Sequence, residues 1–197
     1  EMRAGVQEAR RFHKRTASHA QGAEGILNAV RAGIHSIEHG IFMNERCIEE
    51  MLEDGVYLVP TIAALKNILR NAENGVPDYM VEKTRRVSEK HQDAFVNYYK
   101  AGGKIAMGTD AGTPFNVHGD NAAEIAFMVD FGMSVKDALV SATYNGADLM
   151  GIEDQGYVGE GARADLLVVE GNPLEQVAMV ADKANHRAVF KNGQRFF

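Results

Sequence analysis

The sequence predicts an α/β fold on a parallel sheet: short apolar runs alternate with amphipathic helical stretches, glycine marks each junction, and the strand-then-helix order repeats four times. A chain of 197 residues holds one ordinary domain with room for a small appendix, and it buries a sizeable core.

The elements follow in order. A charged helical pattern (Glu1, Arg3, Gln7, Glu8, Arg10, Arg11) comes first, with no initiator methionine and no cap ahead of it, so further chain is expected upstream. The first unit places a strand at residues 15–19 and, after Gln21-Gly22, a helix at 23–31 closed by Ala32-Gly33, where glycine suits the left-handed C-cap. The second is a strand at 34–38 and a helix from 44 to 53, ended by Asp54-Gly55. The third strand, 56–60, precedes a long polar helical stretch running to Lys100 and stopped by Gly102-Gly103. Residues 63–87 exceed an ordinary βα connection of roughly 2 to 6 residues, and a lid-like insertion is expected there. The fourth unit is a strand at 104–108, a loop, and a helical pattern over 122–150. After Gly151 the character changes: the run Leu166-Leu167-Val168-Val169 and the Asn192-Gly193 turn between two strand patterns read as a small β-rich appendix. The expected division is 1–151 and 152–197.

Composition excludes more than it assigns. A net charge of −6 gives no electrostatic reason to expect nucleic acid or an anionic membrane surface as partner. Cys47 is the only cysteine, which rules out an internal disulfide framework and a cysteine-based zinc cluster; any metal must be held by histidine and carboxylate. There is neither an apolar run of membrane-spanning length nor a basic-then-apolar leader, so a soluble chain is expected, with the cytoplasm as the default compartment.

Three side chains each close a strand and precede a turn: His19 in Ser18-His19-Ala20-Gln21-Gly22, His39 in Ser36-Ile37-Glu38-His39-Gly40, and Asp110 in Gly108-Thr109-Asp110-Ala111-Gly112. Any one strand-end histidine reads equally as a hydrogen-bonded structural residue. In a barrel, however, the C-terminal strand ends share one mouth, and two imidazoles with a carboxylate suit Zn²⁺ or a similar borderline metal. His35 lies four residues before His39, but Gly33 and Gly40 leave no room for a helix; on a strand the two rings stand roughly 13 Å apart, so His35 is expected at the opposite rim. Lys104 opens its strand roughly 20 Å from Asp110 and is no ligand for the same site.

These motifs, with Val117-His118-Gly119-Asp120-Asn121 and the late Gly159-Glu160-Gly161-Ala162-Arg163-Ala164-Asp165-Leu166-Leu167-Val168-Val169, resemble the metal-dependent amidohydrolase superfamily, in its branch of prolidase-like dipeptidases and carboxypeptidases. The resemblance implies the C-terminal half of a TIM (β/α)8 barrel, strands five to eight, followed by part of a small β-sandwich. It implies that His19 and His39 ligate a divalent metal, zinc foremost, as one ion or two. Asp110 would both ligate and act as general base and acid in hydrolysis of a C–N bond in a dipeptide-like or other small substrate. The family's His-X-His pair and carboxylated lysine would lie upstream, in a missing first half of the barrel. A cyclic amidase, a deaminase on the same barrel and a non-catalytic barrel fragment stay open, as does assembly into a homo-oligomer.

His118, in the loop after Asp110, reads either as a substrate-binding group or as an exposed loop histidine. Pro60-Thr61 is expected to face the site. His13 and His91 read as surface residues on charged helices, and Glu124 and Asp130 as the solvated face of a helix whose Phe127 and Met128 pack inward.

Overall fold

Three parallel strands lie side by side in chain order: β1 (Ala17–Gly22), β2 (Ser36–Phe42) and β3 (Tyr57–Val59). Their register sets Ala17 opposite Ser36 and Ser36 opposite Tyr57, then His19 opposite Glu38 and Glu38 opposite Val59. The computed structural model describes residues 1–197. A fourth position is filled by a single parallel bridge from Leu58 to Ile105: Leu58 N donates to Lys104 O at 2.9 Å and Ala106 N to Leu58 O at 3.0 Å. The expected strand at 104–108 stops there because Met107 N leaves the ladder for the carbonyl of Ser141 at 3.0 Å.

The period-two pleat sorts residues between two faces. On one face Ile37 and Leu58 enter the main core with Ile26 and Val30 of α2 (Ala23–Ala32), Cys47 and Met51 of α3 (Glu45–Glu53), and Phe95 and Tyr98 of the long helix α5 (Asp78–Lys100). The other face carries His19 and Glu38, above a small cluster of Tyr57, Val59 and Ala106. On β1 this face is open, with Ala17, His19 and Gln21 exposed while Ala20 is buried.

Helix α1 (Met2–Arg11) precedes the sheet, and α4 (Ile62–Arg70) joins β3 to α5. Asn44 caps α3 by accepting from Cys47 N at 3.0 Å, and Gly33 ends α2 at φ 89°, as the sequence anticipates.

Several boundaries differ from expectation. The first two strands begin and end later than 15–19 and 34–38. Thr16 N donates to His35 Nδ1 at 3.0 Å below the sheet, and the ladder runs on past His39 until Gly22 meets Phe42. The stretch 63–87, expected as a lid-like insertion, folds as α4, a turn and the start of α5, entered through the buried Ile62 and Ala63. The pattern over 122–150 breaks at Gly132 (φ 111°) and again at Thr143, giving α6 (Ala123–Asp130), α7 (Val135–Ser141) and α8 (Tyr144–Met150).

Beyond α8, β4 (Leu166–Val169), β5 (His186–Lys191) and β6 (Gln194–Arg195) form an antiparallel sheet. Asn192 and Gly193, at φ 50° and 77°, make the hairpin turn that their sequence favours. Leu166, Leu167 and Val168 are exposed on β4, while Val180, from a 3-10 turn between β4 and β5, sits in the main core. No helix is long and apolar enough to cross a membrane.

Candidate active site

The site gathers on the C-terminal side of the parallel sheet, at the upper part of β2 and in the segments that follow β3 and the bridge at Ile105. Three non-glycine residues there adopt the left-handed backbone: His39, within β2, at φ 74°, Thr61, just beyond β3, at 54°, and Asp110 at 55°. Such residues cost on the order of 1 kcal/mol or more each and persist where their surroundings over-determine them, a pattern concentrated at functional sites.

In a regular pleat His39 faces away from Glu38 and so away from His19. The left-handed turn at His39 breaks that alternation, and its Nε2 comes to 2.8 Å from His19 Nδ1, with the rings edge-on at 4.5 Å between centroids. His19 is exposed on the open face and His39 is buried. Burial, then His19, lowers the His39 pKa against the opposing pull of Asp110, so the ring is held neutral.

The hydrogen-bond network assigns the tautomer of His39. Its Nδ1 lies 2.7 Å from Thr61 Oγ1, and Thr61 Oγ1 donates to the carbonyl of Pro60 at 2.7 Å. A hydroxyl has one proton. With that proton on Pro60 O, Thr61 accepts, His39 Nδ1 carries the hydrogen, and the lone pair on Nε2 points at His19.

Glu38 neighbours both histidines and was not singled out by sequence reasoning. It pairs with His19 in register, and Ser36 Oγ donates to its Oε1 at 2.7 Å. Burial raises its pKa, Ser36 opposes the rise, and the Asp110 charge adds to it. Strand alternation from Ser36 was the available signal, since residues i and i+2 share a face.

Asp110 is exposed, on a turn built by Asn116. The buried Asn116 carboxamide donates to the carbonyls of Thr109 at 2.6 Å and Asp110 at 3.1 Å, and Gly112 N donates to Asn116 O at 2.8 Å. His118 is exposed on the same loop, which folds it back towards Gly112.

The structure thus brings His19 and His39 into contact, keeps Asp110 within electrostatic range of His39 and Glu38, and sets His118 on the rim. Nowhere in the chain do three histidine, cysteine, aspartate or glutamate side chains stand together as a ligand cluster. The facing imidazole nitrogens fit a metal in kind. A tetrahedral ion with Zn–N bonds near 2.0–2.1 Å separates two ligand nitrogens by about 3.3 Å, about half an ångström more than the present hydrogen bond.

Two residues assigned to the surface from sequence are in fact interior, and both support the site. His91 of α5 is 1% exposed and edge-on to Phe131 at 5.8 Å between centroids, with the backbone at His39 and Pro60 facing it. Neither ring nitrogen has a hydrogen-bond partner, and burial lowers its pKa to about 4. Glu124 of α6 is fully buried, and its two oxygens accept from the backbone N–H groups of Ile62 and Ala63, each at 2.7 Å. Burial pushes its pKa up to about 8 against the pull of those two amides. His35 is a rim residue tied to Thr16, as expected; His13 and Asp130 are exposed.

Comparison with known proteins agrees with this geometry. Ochratoxinase of Aspergillus niger is 31% identical over 199 aligned positions, covering 100% of this chain and 41% of that protein. A crystal structure of a Xaa-Pro dipeptidase with bound methionine in the active site superposes at a TM-score of 0.89 with 39% identity, covering 100% of this chain and 48% of that one. A prolidase complexed with N-methylphosphonate-L-proline superposes at 0.88 with 32% identity, covering 99% and 48%. The chain spans less than half the length of these relatives. The amidohydrolase family model matches residues 1–196, and the chain belongs to that family.

Proposed function

We propose that this chain is the C-terminal half of a (β/α)8 barrel enzyme that hydrolyses an amide-like C–N bond with the help of a divalent metal, zinc or a similar borderline ion. The observation that carries the reading is the 2.8 Å approach of His39 Nε2 to His19 Nδ1 from neighbouring strands. The open inner face of β1 and the short ladder at Ile105 support a barrel completed by further strands, because sheet edges and apolar faces are rarely left uncovered. Residues 152–197 then belong to a composite β-sandwich, to which the exposed Leu166, Leu167 and Val168 offer a face.

His19, His39 and Asp110 would hold the metal. When bound, a divalent ion supplies polarisation of the scissile carbonyl and a lowered pKa for the attacking water. The residues do the rest. Thr61 keeps His39 in the tautomer whose Nε2 is free to ligate. Asp110 takes the proton from the attacking water as the new C–O bond forms, and returns it to the leaving nitrogen as the C–N bond breaks. Glu38 lines the same mouth, and His118 is placed to meet the polar end of a substrate. A dipeptide-like substrate is favoured by the dipeptidase and prolidase among the similar structures.

The test uses the full-length protein. Xaa-Pro dipeptides and N-acyl amino acids are expected to release free amino acid, and His39→Ala is expected to lose both bound metal and turnover. Unchanged metal content and rate in that variant would overturn the reading, and ammonia release from a heterocycle would move it to the deaminase branch.

A further inference from the structure

The first turn of α4 is capped in an unusual way. An α-helix begins with unsatisfied backbone N–H groups, ordinarily met by a Ser, Thr, Asp or Asn at the N-cap. Asn44 does this for α3, and Ser134 does it for α7 by accepting from Asp137 N at 3.1 Å. Helix α4 has Thr61 at the same position, but the Thr61 side chain makes no cap bond. Its hydroxyl is committed elsewhere, to Pro60 O and to His39 Nδ1. The cap comes instead from Glu124, 62 residues further along the chain, whose oxygens take the Ile62 and Ala63 amides.

Resting on the reading of His39 as a site residue, we infer that Glu124 is a positioning residue: by capping α4 from α6 it frees the Thr61 hydroxyl for His39 and so fixes the tautomer and aim of that ring. Two observations beyond the bonds support this. Thr61 is β-branched yet sits at φ 54°, a conformation that needs restraint from outside, and the two amides Glu124 holds are the next two in the chain. Glu124 is also fully buried with no side-chain cation beside it, a costly placement for an acidic side chain whose two oxygens meet these amides alone. Local capping serves α3 and α7, through Asn44 and Ser134; at α4 the local hydroxyl serves the histidine and the remote Glu124 takes the amides.

The test reads the ring directly. In the metal-free full-length protein, ¹⁵N shifts of His39 are expected to show a protonated Nδ1 and a bare Nε2. Glu124→Gln, which leaves one amide without an acceptor, is expected to give a mixture of tautomers and to lower zinc affinity about tenfold, the scale of losing a group that orients a metal-ligating histidine. Thr61→Val removes the hydroxyl with Glu124 intact and is expected to give the same two changes. The double variant is expected to be no worse than Thr61→Val alone, because both act through one contact. A wild-type His39 protonated on Nε2 overturns the inference, as do unchanged shifts and zinc affinity in Glu124→Gln, or losses that multiply in the double variant. Should Glu124→Gln not fold, the wild-type tautomer and amide exchange decide: Ile62 and Ala63 are expected to exchange as slowly as interior α4 amides, and fast exchange overturns the inference. The functional reading fails separately, through His39→Ala, because the tautomer is read with neither metal nor substrate present.

Discussion

Asn116 donates its side-chain N–H to the backbone carbonyl of Asp110 at 3.1 Å, and to that of Thr109 at 2.6 Å, so one buried amide holds the turn on which the proposed proton acceptor rides. Asn67 of α4 reaches the other end of the same carboxamide at 3.3 Å, which ties the Asp110 turn to the helix that Glu124 caps. Asn116→Ala leaves the Thr109 carbonyl without its donor in a buried setting, while the Asp110 carbonyl keeps the Thr113 hydroxyl at 3.0 Å, a loss of about 1–3 kcal/mol. Turnover is expected to fall about 10- to 100-fold, since small displacements of a reacting group are costly. Urea denaturation and steady-state kinetics on the full-length protein check both effects; a destabilised variant with an unchanged kcat would show that the turn does not aim Asp110.

At the opposite end of the sheet, Tyr57 Oη donates to Asp148 Oδ2 at 2.6 Å, joining β3 to α8. Burial, then the bond to Asp148, raises the Tyr57 pKa, so the hydroxyl stays protonated and donates throughout the physiological range. Tyr57→Phe removes one partly buried bond and is expected to cost about 1–2 kcal/mol. Its kcat and KM are expected to match wild type, because Tyr57 opens β3, opposite Ser36, while His39 and Asp110 come after the ladder positions that Tyr57 and Ile105 begin. A changed kcat would place the two ends of the sheet in communication.

Acid stability turns on His91. Its pKa falls from 6.5 to about 4 on folding, through burial. Because the folded value is the lower one, the contribution is fully present above pH 6.5 and is lost as pH falls towards 4, where the unfolded chain has bound a proton that the folded chain refuses. At about 1.4 kcal/mol per pH unit the loss is on the order of 3 kcal/mol. His91→Leu, similar in volume and unable to titrate, is expected to flatten that part of the stability profile. Parallel pH profiles for the two proteins would sink the assignment.

How far the sequence reached is clearest in α6. Period and polarity place Phe127 and Met128 inside, and they are buried. The same reasoning sends Glu124 to solvent, because a carboxylate next to an apolar stripe is ordinarily its solvated border. What reverses the outcome is a tertiary fact with no local trace: the start of α4 lies against α6 with its cap missing. His91 failed likewise, since a histidine among charged neighbours carries no sign that α5 rotates it beneath the end of β2. The pairing of His19 with His39 was legible as strand-end spacing, but the spacing did not show that a left-handed residue is needed to bring the rings together.

Asp110 permits a test that separates chemistry from folding. Its φ of 55° is a conformation in which asparagine is tolerated about as well as aspartate, whereas alanine lacks the short polar side chain that offsets the left-handed strain, about 1 kcal/mol. Asp110→Asn therefore keeps the backbone of the turn and the exposed position of the side chain while removing the proposed proton acceptor. Asp110→Ala removes the same group and strains the turn as well. Turnover is expected to vanish in both variants, with wild-type denaturation in the asparagine variant and a loss of about 1 kcal/mol in the alanine variant. If Asp110→Asn retained the wild-type rate, the proton would have to travel through another group; Glu38, whose carboxyl lies on the same mouth with its pKa raised by burial, is the residue the structure then offers.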